Sequence, residues 1–289
     1  MAKHIKRKKG FFSTFLIRIL LMLLACTLVL LGATENTHDR KLHFTAIIPT
    51  IYLHGYGGGA ASTNKMIAAA EKSGRAQKTL TINVSQDGQL HLQGTWSWSE
   101  KNPIVQVIFD DNTAEIPTEA AWLKQVVNYL HQHYNMQKFN VVTHSMSGPV
   151  TYYWAVHLRQ KNGPVLNKFV PIAGPFNGVI YIDDTPNQNS LEASGKPTSQ
   201  NTAYRDYFKF RSRFPRQTKV LNIFGNLEDG TNSDGLVTNV SARSLAYLIR
   251  GHVASYQELM VKGANAQHSL LHNHNTTVDQ AVINFLWPK

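Results

Sequence analysis

Phe139-Asn140-Val141-Val142-Thr143-His144-Ser145-Met146-Ser147-Gly148 reads as an apolar strand running straight into a tight turn of small residues. It approximates the G-x-S-x-G nucleophile elbow, with Thr143 and Ser147 where the pattern has its two glycines. An elbow needs a buried strand, a sharp turn at the serine and a helix that starts at once. Strand and helix then approach so closely that only small flanking residues fit, and the serine is held strained with its hydroxyl exposed. Thr143 and Ser147 carry side chains, so crowding is expected at both approaches, and Ser147→Gly is expected to relieve it. Short Ser/Gly turns are common, and an ordinary strand-to-helix turn accounts for these residues equally well.

A second segment shifts the balance. Thr50-Ile51-Tyr52-Leu53-His54-Gly55-Tyr56-Gly57-Gly58-Gly59 is another apolar strand ending in a glycine-rich turn. Gly55, Gly57 and Ala60 also satisfy a G-x-G-x-x-A dinucleotide pattern, but that pattern requires an acid closing the next strand about 20 residues on. Glu71 comes too early, and Asp87 belongs to an Asp-Gly turn. The His-Gly-x-Gly form instead resembles the loop that supplies half of the oxyanion hole in α/β-hydrolases. In that resemblance the donors are the backbone N–H groups of Tyr56 and Met146.

Chain order then sets a test, because an elbow serine should be followed by an acid on a late loop and then by a histidine. Val220-Leu221-Asn222-Ile223-Phe224-Gly225 reads as a buried strand opening into a polar loop, residues 226–237, which offers Glu228, Asp229 and Asp234. Farther on, Gln267-His268-Ser269-Leu270-Leu271-His272-Asn273-His274 precedes an amphipathic closing segment, residues 278–287. The order serine, acid, histidine is met.

With these pieces the chain resembles a lipase-like α/β-hydrolase, and specifically the exported cell-surface hydrolases of Gram-positive bacteria. His54-Gly55-Tyr56-Gly57-Gly58, His144-Ser145-Met146, residues 204–215, Val220-Leu221-Asn222-Ile223, Ser233-Asp234-Gly235 and Gln267-His268-Ser269-x-Leu271-His272 carry the likeness. It implies an α/β fold with a mostly parallel central sheet, helices on both faces and a small cap insertion at residues 174–218. It also implies ester hydrolysis with Ser145 as nucleophile, His268 as base, Asp234 as acid and no cofactor. A serine hydroxyl is too weakly acidic to attack alone, so it needs both partners. His272 and His274 compete with His268, which is favoured by the family's Gln-His-Ser segment and by its nearness to the strand expected at residues 257–261. Asp234 is favoured over Asp229 and Glu228 because Ser-Asp-Gly-Leu-Val resembles the family's acid loop. His268-x3-His272-x-His274 would also suit zinc, but with no cysteine and no acid beside it no metal is expected. His144 is expected to pack behind the elbow, and His54 to hydrogen-bond within the oxyanion loop.

Composition bounds the rest. The 289 residues suffice for one full α/β domain, and the single Cys26 excludes a disulfide framework. Lys3, Lys6, Arg7, Lys8 and Lys9 form a basic head before an apolar stretch, residues 11–33, uninterrupted from Ile19 as far as Cys26. That pattern predicts an export signal with Leu31-Gly32-Ala33 at the cleavage site, or a signal anchor if uncut. Leu23-Leu24-Ala25-Cys26 loosely resembles a lipobox, although residues 27–31 continue apolar. The net charge of +11 falls to +5 once the five cations of the basic head and Arg18 are set aside from 29 Lys and Arg against 18 acids. Nucleic acid is not required by so modest a charge; an ester substrate, small or lipid, and an envelope or membrane surface are the expected partners.

The expected layout is a signal peptide or anchor at residues 1–33, a linker at 34–42 and the α/β-hydrolase domain at 43–289. Within it, Ser62-Thr63-Asn64 should cap a helix reaching about residue 73, and Asp87-Gly88 should turn a hairpin of residues 78–84 and 89–94. A strand at 104–109, a helix opened by Pro117-Thr118-Glu119, a helix at 149–160 and a strand at 169–173 follow. Residues 183–201 read as loop, and residues 204–214 as an aromatic, basic helix of the cap. A rival from another class is a catalytically weak hydrolase fold that binds cell-envelope components; the Thr143 and Ser147 departures and the basic cap favour it.

Overall fold

Alternation along the strands supplies two cores. In β1 (Thr50–Leu53), Ile51 and Leu53 join one buried cluster while Tyr52 joins the other. The same alternation separates Val141 from Val142 and Phe169 from Val170. A sheet buried on both faces is the arrangement expected of parallel strands crossed over by helices. The protein is represented by a computed structural model that describes residues 48–96 and 101–288; the expected leader and linker lie outside them.

Eight strands form one sheet in the order β3-β2-β4-β1-β5-β6-β7-β8. The others are β2 (Gln77–Val84), β3 (Leu90–Gly94), β4 (Pro103–Phe109), β5 (Lys138–His144), β6 (Val165–Ile172), β7 (Lys219–Asn226) and β8 (Ser255–Lys262). Only the β2–β3 hairpin is antiparallel. Helices α2 (Ile116–Tyr134), α3 (Ser147–Tyr153) and α4 (Thr202–Phe210) pack on one face with the short α6 (Leu245–Ile249). On the other face lie α1 (Ala61–Lys72) and α7 (Thr276–Leu286). The mostly parallel sheet with helices on both faces is the architecture expected.

Boundaries differ from expectation where polar residues do structural work. α1 starts at Ala61 with Ala60 as its N-cap, so Ser62, Thr63 and Asn64 sit inside the first turn. β6 starts earlier than expected, at Val165, where it pairs with Lys138. Lys168, which breaks the apolar run, is accommodated within the strand by sending its ammonium to the Phe285 and Leu286 carbonyls at the end of α7. The helix expected at 149–160 is α3 followed by a π turn, Trp154–Leu158. Two five-residue helices, α5 (Asn239–Arg243) and α6, were not expected; they are too short to show a period.

Between β6 and β7, α4 is the aromatic, basic helix expected of residues 204–214, ending at Phe210. Tyr204 and Tyr207 are buried in the core, with the Tyr204 hydroxyl donating to the Ser244 carbonyl at 3.0 Å. The Arg211 and Arg213 guanidiniums lie over the Phe208 and Phe210 rings. The other end of α4 borders a cavity described below.

Candidate active site

β5 ends at His144 and α3 begins at Ser147, so the chain turns within two residues, Ser145 and Met146. Ser145 has φ +56°, a left-handed backbone that a serine adopts only when its surroundings hold it there. Its N–H donates to the Ile172 carbonyl at the end of β6 (2.9 Å), and its carbonyl accepts from Gly148 (3.0 Å).

The structure brings Ser145, His268 and Asp234 into one hydrogen-bonded chain from three distant segments. His268 Nε2 lies 3.0 Å from Ser145 Oγ, and His268 Nδ1 lies 2.8 Å from Asp234 Oδ2. Since the carboxylate can only accept, Nδ1 carries the proton and Nε2 is left to accept from the serine hydroxyl. Asp234 is fixed from behind, its Oδ1 accepting from the Leu236 and Val237 backbone N–H groups (2.9 and 2.7 Å). The His268 backbone N–H donates to the Asp234 carbonyl at 2.9 Å, which ties the two loops together. Both side chains are almost fully buried, whereas Ser145 is partly open. Asp229 binds Thr231 on an exposed turn and Glu228 pairs with Lys262, so neither approaches the imidazole.

Gly225, which carried no signal in the sequence beyond ending a strand, makes this crossing possible. A Cβ there would stand 2.1 Å from the Ala266 carbonyl and 2.9 Å from Asp234 Cβ. The acid and histidine loops pass over a bare backbone at the end of β7.

The other histidines brace the site. His144 Nε2 donates to the His268 carbonyl at 3.1 Å, and its ring lies 4.2 Å from that of His272. Burial above all, with His268 and His272 beside it, holds its pKa well below the ordinary 6.5, so it stays neutral. Burial, again with His268 nearby, also lowers the pKa of His272. His272 contacts His144 rather than Ser145, and His274 is exposed. His54 donates from Nδ1 to the Gly55 carbonyl (2.9 Å) and accepts at Nε2 from the Phe109 N–H (3.0 Å). This pairing suits the neutral ring, and burial lowers its pKa accordingly.

Gly55 brings the His54 loop against the elbow: an added Cβ would lie 2.8 Å from Ser145 Cβ. Asn112 braces the loop from outside, accepting from the Gly57 N–H and donating to the Gly58 carbonyl (2.7 Å each). Met146 follows Ser145 directly and Tyr56 follows Gly55, which packs against Ser145; neither backbone N–H donates a hydrogen bond among the described residues.

Ser147 departs from the expectation of crowding. Its hydroxyl proton is shared between the His144 carbonyl (2.8 Å) and the Leu53 carbonyl of β1 (3.2 Å), and its oxygen accepts from the His144 N–H (3.1 Å). The side chain stitches the elbow to the neighbouring strand rather than straining it. Ser147→Ala is therefore expected to lower stability by about 1–2 kcal/mol, since it leaves a buried N–H without its acceptor. Ser147→Gly should cost about 0.5–1 kcal/mol more through backbone freedom. Chemical denaturation of the three proteins checks the order.

A cavity of about 600 Å³ opens beside the elbow, lined by Tyr56, Met146, Tyr153, the Ile116-Pro117 head of α2, and Ala203 and Tyr207 of α4. Its walls are largely apolar, with Glu115 and Asp206 also lining it. Clefts of about 770 and 650 Å³ lie elsewhere, around Lys168 and around Arg216.

The fold has counterparts among solved structures. The product of the lin2722 gene of Listeria innocua is 27% identical, with a TM-score of 0.76 over 83% of this chain and 93% of that one. A Lactobacillus plantarum protein called a cell surface hydrolase is 19% identical, with a TM-score of 0.67 over 84% of this chain and 90% of its own. No curated protein matches in sequence. The sequence model of DUF915, described as an alpha/beta hydrolase of unknown function, matches residues 37–289. The chain belongs to that α/β-hydrolase family.

Proposed function

We propose that this protein is an exported serine hydrolase that cleaves carboxylic esters with an apolar acyl group. The single observation that carries the reading is the position of His268, hydrogen-bonded at once to Ser145 Oγ and to Asp234. In the acylation step His268 Nε2 takes the hydroxyl proton as Oγ bonds to the ester carbonyl carbon. The carbonyl oxygen becomes an alkoxide, stabilised by the Tyr56 and Met146 N–H groups. Collapse of this intermediate expels the alcohol, which leaves with the proton from His268. Water then repeats the sequence on the acyl-enzyme, giving the acid and restoring Ser145. Asp234 holds the imidazole in the tautomer the reaction needs and stabilises its protonated form.

The apolar cavity beside Met146 is the acyl site in this reading. Export is supported by the basic head and apolar run of residues 3–33. Hydrolysis of p-nitrophenyl esters by the wild-type protein and its Ser145→Ala variant tests the function. Turnover should vanish in the variant with little change in melting temperature, and turnover that persists in a clean preparation refutes the nucleophile.

A further inference from the structure

The parallel strands all start at one edge of the sheet and end at the other, so whatever precedes a strand is gathered on one side of the domain. Cations collect on the starting side: Lys101 precedes β4, Lys138 opens β5, Lys161 precedes β6, Lys219 opens β7 and Arg250 precedes β8. Carboxylates follow the strands instead, with Asp110 and Asp111 after β4 and Glu228 and Asp229 after β7; Lys262, a cation that ends β8 on that side, is paired with Glu228. Glu71, a carboxylate on the starting side, is occupied by the Lys78 backbone N–H and the Gln77 side chain. Ser145, at the end of β5, belongs to the other edge.

Between the starts of β6 and β7 the cationic side opens into the cleft of about 650 Å³, lined by Arg159, Lys161, Arg213 and Arg216 with Ser212 and His157. Those four cations form no ion pair among the described residues; Asp206 is bonded to His157 at 2.8 Å. Arg159 Nε is buried without a hydrogen-bond partner. The Arg213 guanidinium lies 4.8 Å from the centre of the Phe210 ring, which orients its fork. Four like charges around one cleft repel one another unless an anion is shared among them. Guanidinium forks match phosphate oxygens two at a time, and the lysine adds a point charge.

We propose that this cleft binds the phosphodiester headgroup of an anionic phospholipid, seating the strand-start edge on a bilayer with Ser145 facing away from it. The bilayer is favoured over other phosphate carriers by the covalent layout. β1 begins at Thr50 on this same edge, so the preceding residues, with their basic head and apolar run, are attached there. Juxtamembrane cations add to such an attachment electrostatically.

The full chain in lipid nanodiscs provides the test, by amide hydrogen exchange over residues 155–165 and 211–218. Nanodiscs of phosphatidylcholine are compared with ones in which a third of the lipid is phosphatidylglycerol. With the anionic lipid, exchange in both segments slows by about fivefold or more, the effect of one cation facing an anionic surface. Arg213→Gln/Arg216→Gln, at two exposed positions, loses the slowing and keeps its melting temperature. Arg243→Gln/Lys262→Gln, the same loss of charge outside the cleft, retains the slowing. Equal exchange in the two lipids, or equal slowing in both double variants, overturns the proposal. Equal slowing by soluble polyglycerol phosphate in phosphatidylcholine nanodiscs assigns the cleft to a free polyanion and overturns the bilayer assignment.

Discussion

His268→Ala lowers kcat/KM for ester hydrolysis by about 10⁴- to 10⁶-fold, because acylation and deacylation both pass a proton through its Nε2. The same change at His272 costs far less. Its ring rests 4.2 Å from His144 and makes no hydrogen bond to Ser145. Any loss there arises from loosening the brace on His144, which in turn holds the His268 carbonyl at 3.1 Å. Steady-state kinetics on the two variants, with melting temperatures as the control for folding, separate the residues. A larger loss at His272 than at His268 would move the base to His272 and contradict the hydrogen-bonded chain.

Asp234→Asn is the second large effect, about 10⁴-fold in kcat with the fold retained. An asparagine Oδ1 can still accept from the Leu236 and Val237 N–H groups, so the loop keeps its shape. The amide that replaces Oδ2 donates, however, and forces the His268 proton onto Nε2. A protonated Nε2 cannot take the serine proton. Asp229→Asn is the matched control: its carboxylate binds only the Thr231 turn on the surface, and activity should stay near the wild-type value. Equal, mild losses in the two variants would exclude Asp234 as the acid.

The residues that converge on Ser145 each carried a signal in the sequence, because each obeys a local rule. A serine must follow a buried strand without an intervening loop, a bare Gly55 must let the His54 loop approach, and acid and histidine must follow in chain order. Contacts created by the sheet itself were not legible. Gly225 looks like any strand end until Ala266 and Asp234 cross over it. Ser147 looked like an obstruction because its hydrogen bond runs to Leu53, 94 residues away. Lys168 hid the first half of β6 because its charge serves the end of α7, more than a hundred residues later. The opposition of cations and carboxylates across the domain is present residue by residue in the sequence. It becomes visible only when parallel pairing places every strand start on one side.

The central claim is that Ser145 is an activated nucleophile rather than an ordinary surface hydroxyl. A fluorophosphonate probe followed by peptide mass spectrometry measures this directly, because such probes bond to serines whose proton is removed by a neighbouring base. Wild-type protein should carry one covalent phosphonyl group on the Ser145 peptide, and His268→Ala should label far more slowly. An unlabelled, folded wild-type protein would contradict the account and favour the rival reading of a catalytically weak hydrolase fold.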